Sequence, residues 1–189
     1  MFWRALFIVS YGAWVALETW IPLRDRRKRT RANQDRGSLR IVIMAIFVAV
    51  LAAWFAAFTQ AWARIQLFHF QAFVIGLALM WAGMALRFWA VLVLGRFFRI
   101  TVTVQDEHRL IDNGPYRLLR HPAYSGSLIT LIGLGLAFGN WLSLAVLVLL
   151  PLLAFIYRMR VEEAALRARF GPAYDRYVAD RWLLVPYLI

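Results

Sequence analysis

The sequence contains no cysteine, and acidic residues are scarce in it. Without Cys, the chain cannot use a thiolate nucleophile, a disulfide or a Cys-ligated metal. Asp and Glu number 10 against 22 Lys and Arg, which gives a formal net charge of +12. The three histidines, at positions 69, 108 and 121, lack metal-ligand spacing, so we expect no metal site. The HExxH, P-loop and GxSxG patterns are also missing, which argues against the enzyme classes that depend on them.

Apolar residues are abundant instead. They make up 62% of the chain, and the mean hydropathy is +0.62, whereas a soluble domain is about half apolar. Such an excess predicts an integral membrane protein. Three apolar segments are long enough to span ~30 Å of hydrocarbon as helices. They cover residues 2–23, 41–62 and 70–94.

A fourth apolar segment, residues 122–157, runs for 36 residues without a charged side chain. It is too long for one spanning helix, which needs about 20 residues. The sequence Phe138-Gly139-Asn140-Trp141 near its middle is typical of a turn. We therefore expect a helical hairpin with two passes of about 17 or 18 residues each. The predicted fold is all-α and polytopic, with about five transmembrane helices, the last two forming the hairpin, and a cytoplasmic C-terminal helical segment.

The basic residues predict the orientation. Nineteen of the 22 fall within residues 24–40, 96–120 and 158–181. Five spans bring all three segments to one face, which the positive-inside rule makes cytoplasmic, and leave residues 63–69 and 139–140 outside. Since the charge is explained by topology and by contact with anionic membrane lipids, we expect no nucleic-acid partner. The first span runs directly into RDRRKR without a small-residue cleavage site, so we expect an anchor rather than a cleaved signal peptide.

Two polar stretches lie on the predicted cytoplasmic face. In the first, residues 105–124, Pro122 suits the first turn of a helix, whose N-terminus offers free N–H groups and partial positive charge. The second, residues 158–177, predicts a helix that leaves the membrane and ends at Gly171. Arg158 and Glu162 are four positions apart in it, so an ordinary helix ion pair also explains them.

Together, these stretches resemble the isoprenylcysteine carboxyl methyltransferase family and its phospholipid methyltransferase relatives. The resemblance covers residues 94–189, about half the chain, and the motifs occur in the same order and at the same spacing. Before the hairpin they are His108-x-Leu110-Ile111, Gly114-x-Tyr116 and Arg120-His121-Pro122-x-Tyr124; after it they are Arg158-x-x-x-Glu162-Glu163, Phe170-Gly171-x-x-Tyr174-x-x-Tyr177 and Pro186.

The resemblance implies an enzyme that transfers a methyl group from S-adenosyl-L-methionine to a lipophilic acceptor, by carboxyl O-methylation of an isoprenylcysteine-like or prenylated substrate. It implies catalytic roles for Arg158 and Glu162, with Arg158 binding the substrate carboxylate. Residues 1–95 would form an N-terminal three-span region with a basic cytoplasmic loop at 24–40. Residues 96–189 would form the catalytic region. The cofactor contacts implied by position are His108, Arg109, Leu110, Ile111, Tyr116, His121, Pro122, Ala123, Tyr124 and Glu162.

Several alternatives stay open. The acceptor could be a thiol or a phospholipid amine instead of a carboxylate. A sterol-reductase-like NADPH enzyme also carries an RHP-Y motif, although its version ends in a glutamate where this chain has Ser125-Gly126-Ser127. A membrane scaffold without activity is the non-enzyme alternative. We expect a bacterial inner membrane protein with its active site on the cytoplasmic side. We also expect Arg87 to face the bundle interior or the cofactor pocket, with Glu18 as a possible partner. The alternative is a side chain that extends to the lipid headgroups. The oligomeric state and the role of the loop at 24–40 stay open.

Overall fold

The computed structural model describes residues 1–25, 37–66, 68–95 and 110–186. Within these ranges the regular elements are helices, with two isolated β-bridges, so the all-α prediction is confirmed. Short 3₁₀ helices cover Ala61–Ala63 and Gly114–Arg117. The α-helices are α1 (Phe2–Asp25), α2 (Ser38–Thr59), α3 (His69–Leu94), α4 (Pro122–Ala137), α5 (Trp141–Phe170) and α6 (Pro172–Ala179).

Among the described residues, four helices, α1, α2, α3 and α5, are long and apolar enough to cross a membrane. The chain is an integral membrane protein. The apolar helix α4 has 16 residues, which gives it a length of about 24 Å, less than the ~30 Å of a bilayer core. Helices α4 and α5 form the predicted hairpin, but its two arms are unequal, because α5 has 30 residues. The helix continues without a break beyond the apolar run and ends at Gly171, as the sequence predicts.

The hairpin turn lies against the segment that joins α2 to α3. Gly139 has a positive φ of 63°, which suits a residue without a side chain, and its carbonyl accepts a hydrogen bond from Ile65 N at 2.8 Å. The buried Asn140 caps α5 by accepting from Ser143 N at 3.0 Å, and its amide donates to the Gln60 carbonyl at 3.1 Å. The two segments predicted to lie outside are therefore neighbours at one end of the bundle.

Small residues set the distance between α3 and α4. A Cβ on Gly126 would lie 2.6 Å from the backbone N of Arg87, and one on Gly133 would lie 2.5 Å from the Gly76 carbonyl oxygen. A Cβ on Gly135 would lie 2.6 Å from a backbone atom of α5. Gly133 and Gly135 thus serve close helix packing. They do not form a dinucleotide-binding turn, in agreement with their apolar helical context.

Helix α4 begins well below the C-terminal end of α3. Arg87 Nη1 donates to the Ala123 carbonyl at 3.2 Å, and Arg87 precedes the last residue of α3, Leu94, by seven positions. Seven residues of helix are about 10 Å long. The first turn of α4 therefore lies about two helical turns deeper than the end of α3, which accounts for the short first arm of the hairpin. Residues 121–124 occupy this depth.

Candidate active site

Arg158 and Glu162 lie one turn apart on α5, at the point where the apolar part of the helix ends. The Arg158 side chain is 3% exposed, and its Nε lies 3.0 Å from Glu162 Oε1. Its Nη1 also donates to the Ser38 hydroxyl, at the start of α2, at 3.0 Å. A charge at this depth is costly to leave unpaired, and these contacts satisfy it.

Tyr124, in the first turn of α4, joins this pair across the hairpin. Its hydroxyl donates to Glu162 Oε1 at 2.6 Å and accepts from Arg158 Nε at 2.6 Å. Three side chains that the sequence assigns to one site are thus in direct contact, although 34 positions separate Tyr124 from Arg158. The same hydrogen bonds fix α5, at the point where its apolar part ends, against the start of α4.

The ring of His121 lies between two carboxylates. Its Nδ1 is 3.6 Å from Glu162 Oε2, and its Nε2 is 3.2 Å from Glu163 Oε1. Glu163 Oε1 also accepts from Arg120 Nη1 at 2.9 Å. Although His121 is the residue before α4, its side chain does not cap the helix. The second glutamate of the motif, for which the sequence indicates no role, therefore holds both the histidine and Arg120.

A C-terminal segment, residues 181–184, runs alongside the stretch that contains His121. Sequence reasoning does not single out this segment, because its residues show neither periodicity nor a motif. Several hydrogen bonds fix it. Arg120 N donates to the Trp182 carbonyl at 2.8 Å, Trp182 N to the Leu118 carbonyl at 3.1 Å, and His121 N to the Leu183 carbonyl at 3.2 Å. The Ser125 hydroxyl donates to the Leu184 carbonyl at 2.6 Å, and Arg120 Nε to the Arg181 carbonyl at 3.1 Å.

Tyr116 lies in the 3₁₀ helix Gly114–Arg117 and is 6% exposed. Burial raises the pKa of its phenol above the ordinary value, Tyr177 and Glu162 act in the same direction, and Arg87 opposes them. The ring is therefore neutral at physiological pH and lies within the electrostatic reach of Glu162. Its carbonyl accepts from Arg181 Nε at 2.9 Å, which ties the 3₁₀ helix to the C-terminal segment.

Other residues predicted to contact the cofactor are distributed as follows. Pro122 is buried at the first position of α4, and the Ala123 carbonyl faces α3 through its bond with Arg87. Leu110 and Ile111 are half-buried. His108 and Arg109 lie outside the described residues, as do positions 26–36 of the basic loop.

Arg87 is paired inside the bundle, as expected from its position in an apolar span. Its Nε lies 2.7 Å from Glu18 Oε1, and its Nη2 donates to Glu18 Oε2 at 2.8 Å. Both residues precede the C-terminal ends of their helices by seven positions, so they lie at similar depth. The expectation of an interior partner is confirmed, in preference to a side chain that extends to the lipid headgroups.

The side chains at this end of the bundle fit an amino-acid cofactor with a cationic group. The Glu162 carboxylate is 22% exposed, and its Oε2 lies at 3.6 Å from His121 Nδ1, beyond ordinary hydrogen-bond length. This oxygen retains the capacity to accept a hydrogen bond from an ammonium group. The neutral phenol of Tyr116 lies within the electrostatic reach of Glu162, and the ring of His121 lies next to this oxygen.

An all-helical membrane bundle with paired carboxylates, a histidine and a buried arginine at one end defines an integral membrane protein with a polar site at the membrane edge. A family model described as phospholipid methyltransferase matches residues 71–173 of the chain. The chain belongs to this family.

Curated relatives and a solved structure agree with this assignment. A probable protein-S-isoprenylcysteine O-methyltransferase of Oryza sativa subsp. indica is 39% identical over 116 residues, which cover 60% of this chain and 61% of that protein. Protein-S-isoprenylcysteine O-methyltransferase B of Arabidopsis thaliana is 33% identical over 104 residues, which cover 54% of this chain and 53% of the relative. The matched region thus spans between half and two thirds of these relatives.

The solved structure is that of a eukaryotic intramembrane Ras methyltransferase, an isoprenylcysteine carboxyl methyltransferase. It superposes with a TM-score of 0.60 at 24% identity, and the match covers 77% of this chain and 52% of that one. This likeness confirms the fold. The resemblance that the sequence motifs carry is confirmed at the level of the family.

Proposed function

We propose that the protein transfers a methyl group from S-adenosyl-L-methionine to the carboxylate of a prenylated cysteine, on the cytoplasmic side of the membrane. The observation that carries the proposal is the contact among Tyr124, Arg158 and Glu162 at the end of the apolar part of the hairpin. One cation and one anion lie together where a lipid-soluble acceptor and a water-soluble donor can meet. The names of the relatives support the prenylcysteine carboxylate as the acceptor.

Each residue has a role that follows from its chemistry. S-adenosyl-L-methionine, when bound, supplies an electrophilic methyl group. Glu162 accepts hydrogen bonds from the cofactor's ammonium group, with His121 and Tyr116 beside it. Arg158 donates to the acceptor carboxylate, because it lies one turn nearer the apolar part of α5 than Glu162 does. His108, Arg109, Leu110 and Ile111 complete the cofactor site, together with Pro122, Ala123 and Tyr124.

A carboxylate acceptor is already ionised at neutral pH, so the reaction needs no general base. The residues of the site have to align the two reactants and exclude water. Arg158 has to exchange part of its present pairing with Glu162 for the acceptor. The shared Tyr124 hydroxyl, which touches both side chains, can remain bonded to either one during this exchange.

The cofactor class can be tested by calorimetry on the purified protein in detergent. We expect saturable binding of S-adenosylhomocysteine, which keeps the amino-acid group that Glu162 would hold, and no binding of NADPH. Binding of NADPH alone would favour a sterol-reductase-like enzyme instead. Binding of neither compound would favour a scaffold without activity.

The acceptor class can be tested with a matched pair of lipids. S-farnesylcysteine with an acetylated amine offers a free carboxylate, whereas its carboxamide has the same tail without the charge. We expect methyl transfer to the first compound only. Transfer to phosphatidylethanolamine or to a long-chain thiol, with none to the carboxylate, would identify an amine or thiol acceptor and would assign Arg158 a different role.

The cytoplasmic orientation follows from the basic segments and belongs to this proposal. The bacterial inner membrane stays a prediction, since the relatives named above are eukaryotic. The division at residue 95 also stays a prediction, and α3 and α4 pack closely across it.

A further inference from the structure

The guanidinium of Arg87 bonds to two different parts of the protein. Glu18 on α1 accepts a hydrogen bond from Nη2 at 2.8 Å, and its Oε1 makes an ion-pair contact with Nε at 2.7 Å that is not aligned as a hydrogen bond. The remaining nitrogen, Nη1, donates to the Ala123 carbonyl at 3.2 Å. Ala123 lies between Pro122 and Tyr124, inside the stretch to which the proposed function assigns the cofactor. One intramembrane arginine thus connects α1, α3 and the first turn of α4.

The close packing of α3 against α4 makes this bond possible. Gly126 lies directly against the backbone of Arg87, since a Cβ there would be 2.6 Å from Arg87 N and 2.9 Å from Arg87 Cβ. The carbonyl oxygen of Gly83, one turn earlier on α3, would lie 2.7 Å from the same Cβ. At this separation the Arg87 side chain reaches back to the carbonyl one turn before Gly126.

The carbonyl that Arg87 binds also accepts a hydrogen bond from the Ser127 hydroxyl at 3.1 Å. Its orientation therefore depends on two side chains, Arg87 of α3 and Ser127 of α4, as well as on the helix backbone. Tyr124 follows this peptide directly, and its hydroxyl lies 2.6 Å from both Arg158 Nε and Glu162 Oε1. His121, two residues before Ala123, faces both glutamates. A tilt of the first turn would move both rings relative to α5.

We infer that Arg87 is a positioning residue, which acts through the Ala123 carbonyl to hold the first turn of α4 in the orientation that the site requires. Glu18 neutralises the arginine at this depth and accepts a hydrogen bond from its Nη2, which orients the guanidinium. Neither residue needs to touch substrate or cofactor. The inference rests on the proposed function for its catalytic consequence, whereas its structural part stands on the contacts alone.

Removing the whole ion pair separates a positioning role from a merely structural one. Replacing both members of a buried pair by apolar residues of similar size is often neutral for stability, whereas removing one member is destabilising. The double variant Glu18→Leu/Arg87→Met should therefore fold, while it lacks the donor to Ala123. Arg87→Met alone should fold less well, and Arg87→Lys should restore part of the function, because an ammonium group keeps the charge and a donor. Ser127→Ala is the matched control, since it removes the other side-chain donor to the same carbonyl.

Thermal melting, amide hydrogen exchange and the kinetics of methyl transfer, all measured on these variants in detergent, test the inference. We expect the double variant to melt within a few degrees of the unaltered protein. Amide hydrogen exchange in a peptide covering the first turn of α4 should be about tenfold faster, and kcat for methyl transfer should fall about 10- to 100-fold, the effect of losing one charge-assisted hydrogen bond. KM for the prenylated acceptor should change less than kcat. Ser127→Ala should change exchange and kcat less than the double variant does.

The outcomes distinguish this inference from the proposed function. If the double variant folds with unchanged exchange at α4 and unchanged kcat, Arg87 is only a paired charge and the inference is overturned. If the double variant changes exchange and kcat no more than Ser127→Ala does, the arginine has no special hold on the carbonyl, which also overturns it. If the unaltered protein neither binds S-adenosylhomocysteine nor transfers methyl groups, the proposed function fails. In that case faster exchange in the double variant would still support the positioning of α4 by Arg87.

Discussion

Arg158 and Glu162 pair with each other in the structure, whereas the proposed reaction pairs Arg158 with the acceptor and Glu162 with the cofactor. Two substitutions separate these roles. Arg158 Nε lies 3.0 Å from Glu162 Oε1 and 2.6 Å from the Tyr124 hydroxyl, while its Nη1 binds the Ser38 hydroxyl. Arg158→Ala removes all three contacts from a side chain that is 3% exposed. The loss of one partner of a buried pair costs about 3 kcal/mol of stability. Glu162 then loses its fixed cation.

The same substitution should leave the affinity for S-adenosylhomocysteine unchanged or raise it up to about tenfold, which corresponds to ~1.4 kcal/mol. The reason is that the Glu162 carboxylate no longer shares its charge with the guanidinium. Glu162→Gln should act in the opposite direction. It removes a charge-assisted hydrogen bond worth ~1.5–3 kcal/mol, so the affinity should fall about 10- to 150-fold.

Calorimetry at one temperature and salt concentration measures both effects. Arg160→Ala is the matched control, because Arg160 lies on the same helix and is exposed. We expect it to change neither affinity nor stability. A tenfold loss of affinity in Arg158→Ala, with none in Arg160→Ala, would refute the assignment of Arg158 to the acceptor. Unchanged affinity in Glu162→Gln would mean that the two residues form only a helix ion pair.

Three further predictions concern packing, topology and the second glutamate. Gly126→Ala should lower the free energy of unfolding by about 1–3 kcal/mol in thermal melts, because its Cβ would lie 2.6 Å from the backbone of α3, whereas Gly12→Ala, with open space around it, should not destabilise. In intact cells an impermeant thiol reagent should label Gln66→Cys and not Asp175→Cys, and the reverse pattern would invert the topology. Glu163→Gln should lower the melting temperature by several degrees, because Arg120 and His121 lose their shared carboxylate. It should lower the affinity for S-adenosylhomocysteine less than Glu162→Gln does. An equal loss of affinity would instead indicate direct contact between Glu163 and the ligand.

The spans and the hairpin could be predicted because each is encoded locally, in uncharged runs and in one turn signal. The unequal arms of the hairpin could not, since the start of α4 is set by its packing against α3 through Gly126 and by the bond from Arg87 to Ala123. No feature of the sequence within residues 122–157 indicates the depth at which packing against α3 places the first turn of α4.

Some contacts of the site could likewise be predicted from the sequence, and others could not. The pairing of Arg158 with Glu162 follows from helical spacing, and the pairing of Arg87 with Glu18 follows from their equal depth. The bonds from residues 118–125 to the C-terminal segment 181–184 are mostly backbone contacts between distant parts of the chain, and their side-chain donors reach backbone carbonyls. Sequence patterns carry no signal for such contacts. The contacts of the Glu163 carboxylate with Arg120 and His121 likewise depend on tertiary structure.

The central claim is that the methyl group ends on a carboxylate, and the chemical stability of the product tests it most directly. The purified protein, reconstituted in lipid nanodiscs, is incubated with S-adenosyl-L-methionine labelled in its methyl group and with acetylated S-farnesylcysteine. A methyl ester releases its label as volatile methanol in mild alkali, whereas N-methyl and S-methyl products keep it. We predict alkali-released methanol that depends on the protein and is reduced in Arg158→Ala. Label that resists alkali, or the absence of transfer by a protein that binds S-adenosylhomocysteine, would contradict carboxyl methylation.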